Sequence, residues 1–173
     1  MELLLHCASL DTPVGALQLF ADGQALYRIS FPHSSNRTAL PCAVPAEKNH
    51  PLLNRAQAQL TEYFAGSRKQ FDLPFCPQGT IFQQAVWKYM RTIPYGKTKT
   101  YGQVAAALGN RNKARAVGGA ANKNPLPLVI PCHRVIGSSG RLTGFAGGLE
   151  IKRFLLELER CRTAEHSSSS GCV

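Results

Sequence analysis

The chain has 173 residues, 44% of them hydrophobic, with 20 lysines and arginines against 10 aspartates and glutamates and a formal charge of +10. That length and apolar content suit one large domain or two small ones, and exclude a chain disordered along most of its length. The basic excess favours an acidic partner, nucleic acid first, beside the plainer reading of a charged, soluble surface.

The start, Met1-Glu2-Leu3-Leu4-Leu5-His6-Cys7, lacks the basic residues and long apolar run of a secretory leader. No stretch approaches the roughly 20 apolar residues of a membrane span, so the expected setting is cytoplasmic, with no membrane partner. Residues 15–20 and 25–29, joined through Asp22-Gly23, read as a β-hairpin. Residues 32–50, rich in Pro, Ser, Asn and charge, read as a long loop. Pro51 opens a helix with Leu52, Leu53, Ala56, Leu60, Tyr63 and Phe64 on one face, and Gly66 stops it. Residues 71–75 suggest a short edge strand, and residues 77–79 a linker.

The second half is more helical. Thr80 and Gln83 have the spacing of a capping box, opening a helix to about Arg91 with Ile81, Phe82, Ala85, Val86, Tyr89 and Met90 toward the core. Thr100 and Gln103 repeat the pattern ahead of a short helix closed by Gly109, and Asn112 is placed to cap a third helix over residues 113–122. Two short helices so joined resemble a helix-turn-helix. Residues 128–130 read as a buried strand, residues 137–148 as a glycine-rich loop, and residues 150–160 as a closing helix with Ile151, Phe154, Leu155 and Leu158 inward. The organisation expected is an N-terminal α/β domain over residues 1–77, a mostly α C-terminal domain over 78–160, and a disordered tail over 161–173.

Six cysteines (Cys7, Cys42, Cys76, Cys132, Cys161 and Cys172) are scattered with no C-x-x-C pair, which suggests reduced thiols rather than a disulfide frame or zinc ribbon. Cys132 differs in context. In Pro131-Cys132-His133-Arg134 the thiol neighbours an imidazole and a guanidinium, a positive field that favours thiolate. Adjacent residues of an extended strand point to opposite faces, so His133 needs a bend or a bridging water to act as base for Cys132. Upstream, residues 114–122 make an unusual helix: Gly118 and Gly119 each cost about 1 kcal/mol relative to Ala, and Arg115 is the one long side chain between Ala114 and Ala121. A helix this thin can enter a narrow groove.

Taken together, Ile93-Pro94-Tyr95-Gly96, Tyr101-Gly102, Ala114-Arg115-Ala116-Val117-Gly118, Asn124-Pro125, the run from Ile130 to Ile136 and Gly147-Gly148 closely resemble the O6-alkylguanine-DNA alkyltransferases over residues 80–160. The first half matches only in layout, as in Thr12-Pro13-Val14-Gly15 and Tyr63-Phe64-Ala65-Gly66. The resemblance implies a ribonuclease-H-like N-terminal domain (a small antiparallel sheet with a helix) and a winged helix-turn-helix-like C-terminal domain. It implies a monomer that needs no cofactor and acts once on duplex DNA bearing alkylated bases, taking the alkyl group of O6-alkylguanine, with O4-alkylthymine a further candidate, after base flipping. Cys132 would be the acceptor, His133 its base through water, and Glu159 the group that orients His133. Tyr101 would crowd the target phosphate and donate to the base, with Lys152 in the same network. Arg115 would fill the gap left by the flipped nucleotide. Ala114, Gly118, Ala121, Asn122 and Arg134 complete the implied DNA contacts. Asn124 would hold the turn between recognition helix and active site. Asn124, Val135, Phe145 and Ala146 would line the substrate pocket, with main chain at Cys132 and Val135 reading the guanine amine.

Two departures stand out. Some family members bear Tyr-Ser where this chain has Phe145-Ala146, which implies a greasier wall tolerant of bulkier alkyl groups. Some bind a structural zinc; His6, Cys7, His33 and Cys42 do not reproduce that spacing, and no metal is expected. The rival readings are a helix-turn-helix regulator or a non-enzymatic binder of alkylated DNA, and a cysteine hydrolase. The first two are disfavoured by the presence of Cys132, and the third by the lack of an identifiable oxyanion hole.

Overall fold

The computed structural model describes residues 4–32, 34, 43–45 and 50–168, with backbone alone at 43–45 and 164–168. The N-terminal half is a four-stranded sheet of order β3-β2-β1-β4, with β1 at Leu5–Leu10, β2 at Leu17–Ala21, β3 at Leu26–Ser30 and β4 at Ala43–Pro45. β2 and β3 pair antiparallel, as the hairpin reading expects; β1, a strand that reading did not include, pairs antiparallel with β2, and β4 runs parallel to β1 within the segment read as loop. Alternation along β2 buries Leu17, Leu19 and Ala21. They face α1 (Pro51–Phe64), whose Leu52, Leu53, Ala56, Leu60 and Tyr63 are buried. Residues 71–75 form no strand of their own. Pro74 lacks the N–H a ladder needs, and only a bridge between Phe75 and Leu26 extends the sheet.

The C-terminal half contains α2 (Ile81–Met90), α3 (Tyr101–Ala107), α4 (Ala114–Asn122) and α5 (Leu149–Ser168), with a short parallel pair between β5 (Lys99–Thr100) and β6 (Val135–Ile136). Both capping boxes form. Ile81, expected inward, is 90% exposed, because it sits about 140° round the helix from Val86. Trp87 is buried instead and donates its indole N–H to the Ala120 carbonyl at 2.8 Å, tying α2 to α4. The cap before α4 is Asn110 rather than Asn112, and serves a 3₁₀ turn at Arg111–Lys113 that precedes the helix. Residues 128–130 are not a strand. Pro125, Pro127 and Pro131 break any ladder, and Leu128 adopts φ 74°, the only positive φ at a non-glycine among the described residues.

α5 continues past Arg160 to Ser168, where a disordered tail was expected. Arg162 lies against the end of α1, where Gly66 has φ 79° and an added Cβ would stand 2.5 Å from Arg162 Nε. The buried residues of both halves form one contiguous core. A further tie is the Ile29 N–H, which donates across the halves to the Pro125 carbonyl at 2.9 Å. Among the described residues no helix is long and apolar enough to cross a membrane.

Gly66→Ala forces a side chain into left-handed backbone and against Arg162. The expected loss is about 1–2 kcal/mol, read as a lower urea midpoint with an unchanged m-value; an unchanged midpoint would show that this junction does not hold the end of α5.

Candidate active site

The site is assembled by the irregular chain after α4. Asn124 is buried; its amide donates to the Ile130 carbonyl at 2.7 Å and its Oδ1 accepts from the Leu126 N–H at 3.0 Å. This closes the loop that delivers Cys132 to the start of a 3₁₀ turn, Cys132–Arg134. Successive residues there are about 120° apart rather than on opposite faces. The turn is the bend that an extended reading of these residues lacks, and it carries Cys132, His133 and Arg134 into the interior together.

Cys132 is 4% exposed. Burial pushes its thiol up, opposed by a hydrogen bond with Asn124 and by the charge of Lys152. The resting group is therefore a neutral thiol, contrary to the positive field expected from its chain neighbours. Arg134 supplies no such field to the sulfur, because its guanidinium is committed elsewhere.

That commitment is to Glu159, which is fully buried on α5. Arg134 Nε donates to Oε2 at 2.9 Å, Nη2 to Oε1 at 3.0 Å, and Nη1 to the Ile93 carbonyl at 2.7 Å. Oε2 also accepts the Gly96 N–H at 2.9 Å, and Oε1 accepts the Tyr63 hydroxyl at 2.7 Å. His133 Nε2 lies 2.8 Å from Oε1. Burial alone would push this carboxyl up; the hydrogen bonds and charges of His133 and Arg134 reverse that and hold it well below the usual carboxylate range. Burial pushes His133 down despite Glu159, so its imidazole rests neutral. A carboxylate at Nε2 fixes the proton there. Nδ1 is thereby left a free base, and it is buried without a hydrogen-bond partner.

Lys152, whose charge acts on the thiol, is buried and donates to the Val135 carbonyl at 2.7 Å, the Thr143 carbonyl at 2.9 Å and the Tyr101 hydroxyl at 3.4 Å. Burial lowers it to about 8, opposed by Cys132. Tyr101, half-buried, donates to the Thr143 carbonyl at 3.0 Å. Phe145 packs at a tilt against Phe31 with ring centroids 5.4 Å apart, and Ala146 lines a cavity of about 700 Å³ with Asn124 and Pro127.

Beyond the thiol, α3 and α4 form the helix pair. Arg115, Ala116, Gly119 and Asn122 are exposed, Ala114 and Gly118 partly so, and the Tyr101 ring lies 3.8 Å from where a Gly118 Cβ would stand. Two expected DNA contacts are corrected. Ala121 is buried on the inner face of α4, and Arg134 is buried on Glu159, so neither is presented to a groove. The sequence reading also passed over two groups. Periodicity puts Tyr63 on the apolar face of α1, where its hydroxyl, needing a partner when buried, is the available signal. The Gly96 N–H carried no signal. Of the zinc candidates, His6 stacks near His50 at 5.0 Å, while His33 and Cys42 lie outside the described residues.

A buried thiol, an imidazole–carboxylate pair and an exposed helix of small residues thus lie in one unit. Family models match both halves: the 6-O-methylguanine DNA methyltransferase ribonuclease-like domain over residues 5–77, and the DNA binding domain of the same family over residues 81–161. The methylated-DNA–protein-cysteine methyltransferase of Methanosarcina acetivorans is 43% identical over 155 residues, 90% of this chain and 98% of that one. The structure of Mycobacterium tuberculosis OGT in complex with DNA is similar with a TM-score of 0.83 and 42% identity, covering 92% of this chain and 94% of that one. The O6-methylguanine DNA methyltransferase structure from Methanococcus jannaschii is 30% identical with a TM-score of 0.62, covering 88% of this chain and 93% of that one. The chain belongs to the 6-O-methylguanine DNA methyltransferase family.

Removing one member of a buried ion pair strands the other. Arg134→Met is expected to cost about 3–5 kcal/mol of stability. Because the Glu159 carboxyl is held below its ordinary value of 4.5, its contribution is full above that pH and is lost as the pH falls. Urea unfolding between pH 7 and pH 3 should show wild-type stability falling below about pH 4.5 and a shallower fall in the variant; parallel curves would refute the pairing.

Proposed function

We propose that the protein repairs alkylated duplex DNA by a single, irreversible transfer of the alkyl group from O6-alkylguanine to the Cys132 sulfur. The buried Cys132–His133–Glu159 set carries this reading. His133 Nδ1 takes the thiol proton through a bridging water, and Glu159 stabilises the imidazolium. The thiolate attacks the alkyl carbon, an S–C bond forms, and the C–O6 bond breaks with its electron pair on guanine. The Tyr101 hydroxyl, backed by Lys152, supplies the proton that makes guanine a neutral leaving group. The product thioether does not hydrolyse, so each molecule acts once. That separates this set from a cysteine hydrolase, whose acyl intermediate turns over.

The target base is stacked inside the duplex and has to be extruded. The exposed face of α4, made of small residues apart from Arg115 and Asn122, suits a narrow groove, with Arg115 filling the vacated stack. Every residue in the reaction comes from one chain, which fits a monomer as the acting unit. A thiol acceptor has to stay reduced, which fits the cytoplasm.

Intact mass after incubation with duplex DNA containing O6-methylguanine should rise by one methyl group per chain, and the gain should be absent in Cys132→Ala. Tight binding with unchanged mass would support a damage-binding protein instead. Arg115→Ala should slow transfer from duplex DNA by about 10–100-fold, the scale of the few kcal/mol needed to unstack a base, and leave the rate on free O6-benzylguanine unchanged. Equal losses on both substrates would place Arg115 in the chemistry rather than in extrusion.

A further inference from the structure

Every member of the Cys132–His133–Glu159 relay and its Arg134 clamp lies in the segment matched by the DNA binding domain, and one side chain from the segment matched by the ribonuclease-like domain joins them. Tyr63, at the end of α1, is fully buried, edge-on to Tyr95 with centroids 6.0 Å apart. Its hydroxyl donates to Glu159 Oε1 at 2.7 Å and stands 3.5 Å from His133 Nε2. A phenol has one hydrogen to give, and it goes to the same oxygen that faces the imidazole. We infer that Tyr63 is a positioning residue through which the N-terminal domain sets the basicity of His133, an inference that rests on the alkyl-transfer reading of the site.

The electrostatics run in one direction. A hydrogen bond from Tyr63 draws negative charge off Oε1, which weakens the pull of Glu159 on an imidazolium and keeps His133 neutral, the form able to take the thiol proton. Other charged and titratable groups face His133 as well: Arg134 and Cys132 from its own turn, and Lys152 and Glu159 from α5; Tyr95 stands against Tyr63 and Arg134. Arg134 and Lys152 also disfavour the imidazolium, and Tyr63 adds to them without adding a charge. Burial and Glu159 push the Tyr63 hydroxyl well above its ordinary range, so it stays a donor at working pH.

The test is the single-turnover rate of methyl transfer from O6-methylguanine duplex DNA across pH 5–9, read by intact mass on the full chain. Tyr63→Phe should still gain one methyl on Cys132, with the midpoint of the acid limb moved up by about 0.5–1 pH unit, the equivalent of one hydrogen bond. A rate lowered uniformly with an unmoved limb, or no change at all, overturns the inference, since a residue that only packs would give that result. Site-specific 3-fluorotyrosine at position 63 keeps the shape, strengthens the donor and should move the limb down; this arm decides the matter if Tyr63→Phe does not fold, and an unmoved limb there also overturns it. Failure of the wild type to gain a methyl would instead refute the alkyl-transfer reading, and the inference with it.

Discussion

A single buried carboxylate organises this protein. Glu159 has no contact with water, so its charge has to be met from within. Donors converge on it from α1, from the turn at Gly96, and from the 3₁₀ turn that holds Cys132. Each of those segments is otherwise irregular or terminal, and the need to satisfy one oxygen pair brings them into register. The fold around the thiol is in this sense a solution to a desolvation problem.

The same constraint sets the chemistry. Two environments flank a buried thiol that resting conditions keep protonated. On one side a neutral histidine is locked in the tautomer that leaves Nδ1 basic. On the other, Lys152 is held in a cage of backbone carbonyls, its ammonium lowered to about 8 by burial. In the proposed transfer, proton removal and leaving-group protonation fall to different residues. Arg134, next to the cysteine in the chain, belongs to neither side; it neutralises Glu159 and stabilises the arrangement.

Much of this was legible from residues alone. The capping boxes at Thr80 and Thr100 mark helix starts through local hydrogen bonds, and local bonds are written in local sequence. The hairpin and the apolar face of α1 follow from periodicity. The contents of the site were legible by resemblance, because its residues cluster in short motifs. Where the reading failed, a distant partner decided the outcome. Ile81 lost its place to Trp87, whose indole found the Ala120 carbonyl. The polar end of α5 is helical, and within it Arg162 packs against Gly66 just beyond α1. The strand expected at residues 128–130 gave way to prolines and to the Asn124 side chain, which occupies the carbonyl of Ile130.

The sequence by itself determined the class of chemistry and the thin helix with one long arginine, and it singled out Cys132 as the candidate nucleophile, since each is a matter of which side chains occur and at what spacing. The tertiary structure alone decided which way those side chains point and what charge they carry. Arg134 and Ala121 turned inward, His133 came to share an oxygen with Tyr63, and the thiol lost the positive field its neighbours seemed to offer. Orientation and protonation depend on burial and on partners dozens of residues away, and neither is encoded in any one stretch of chain.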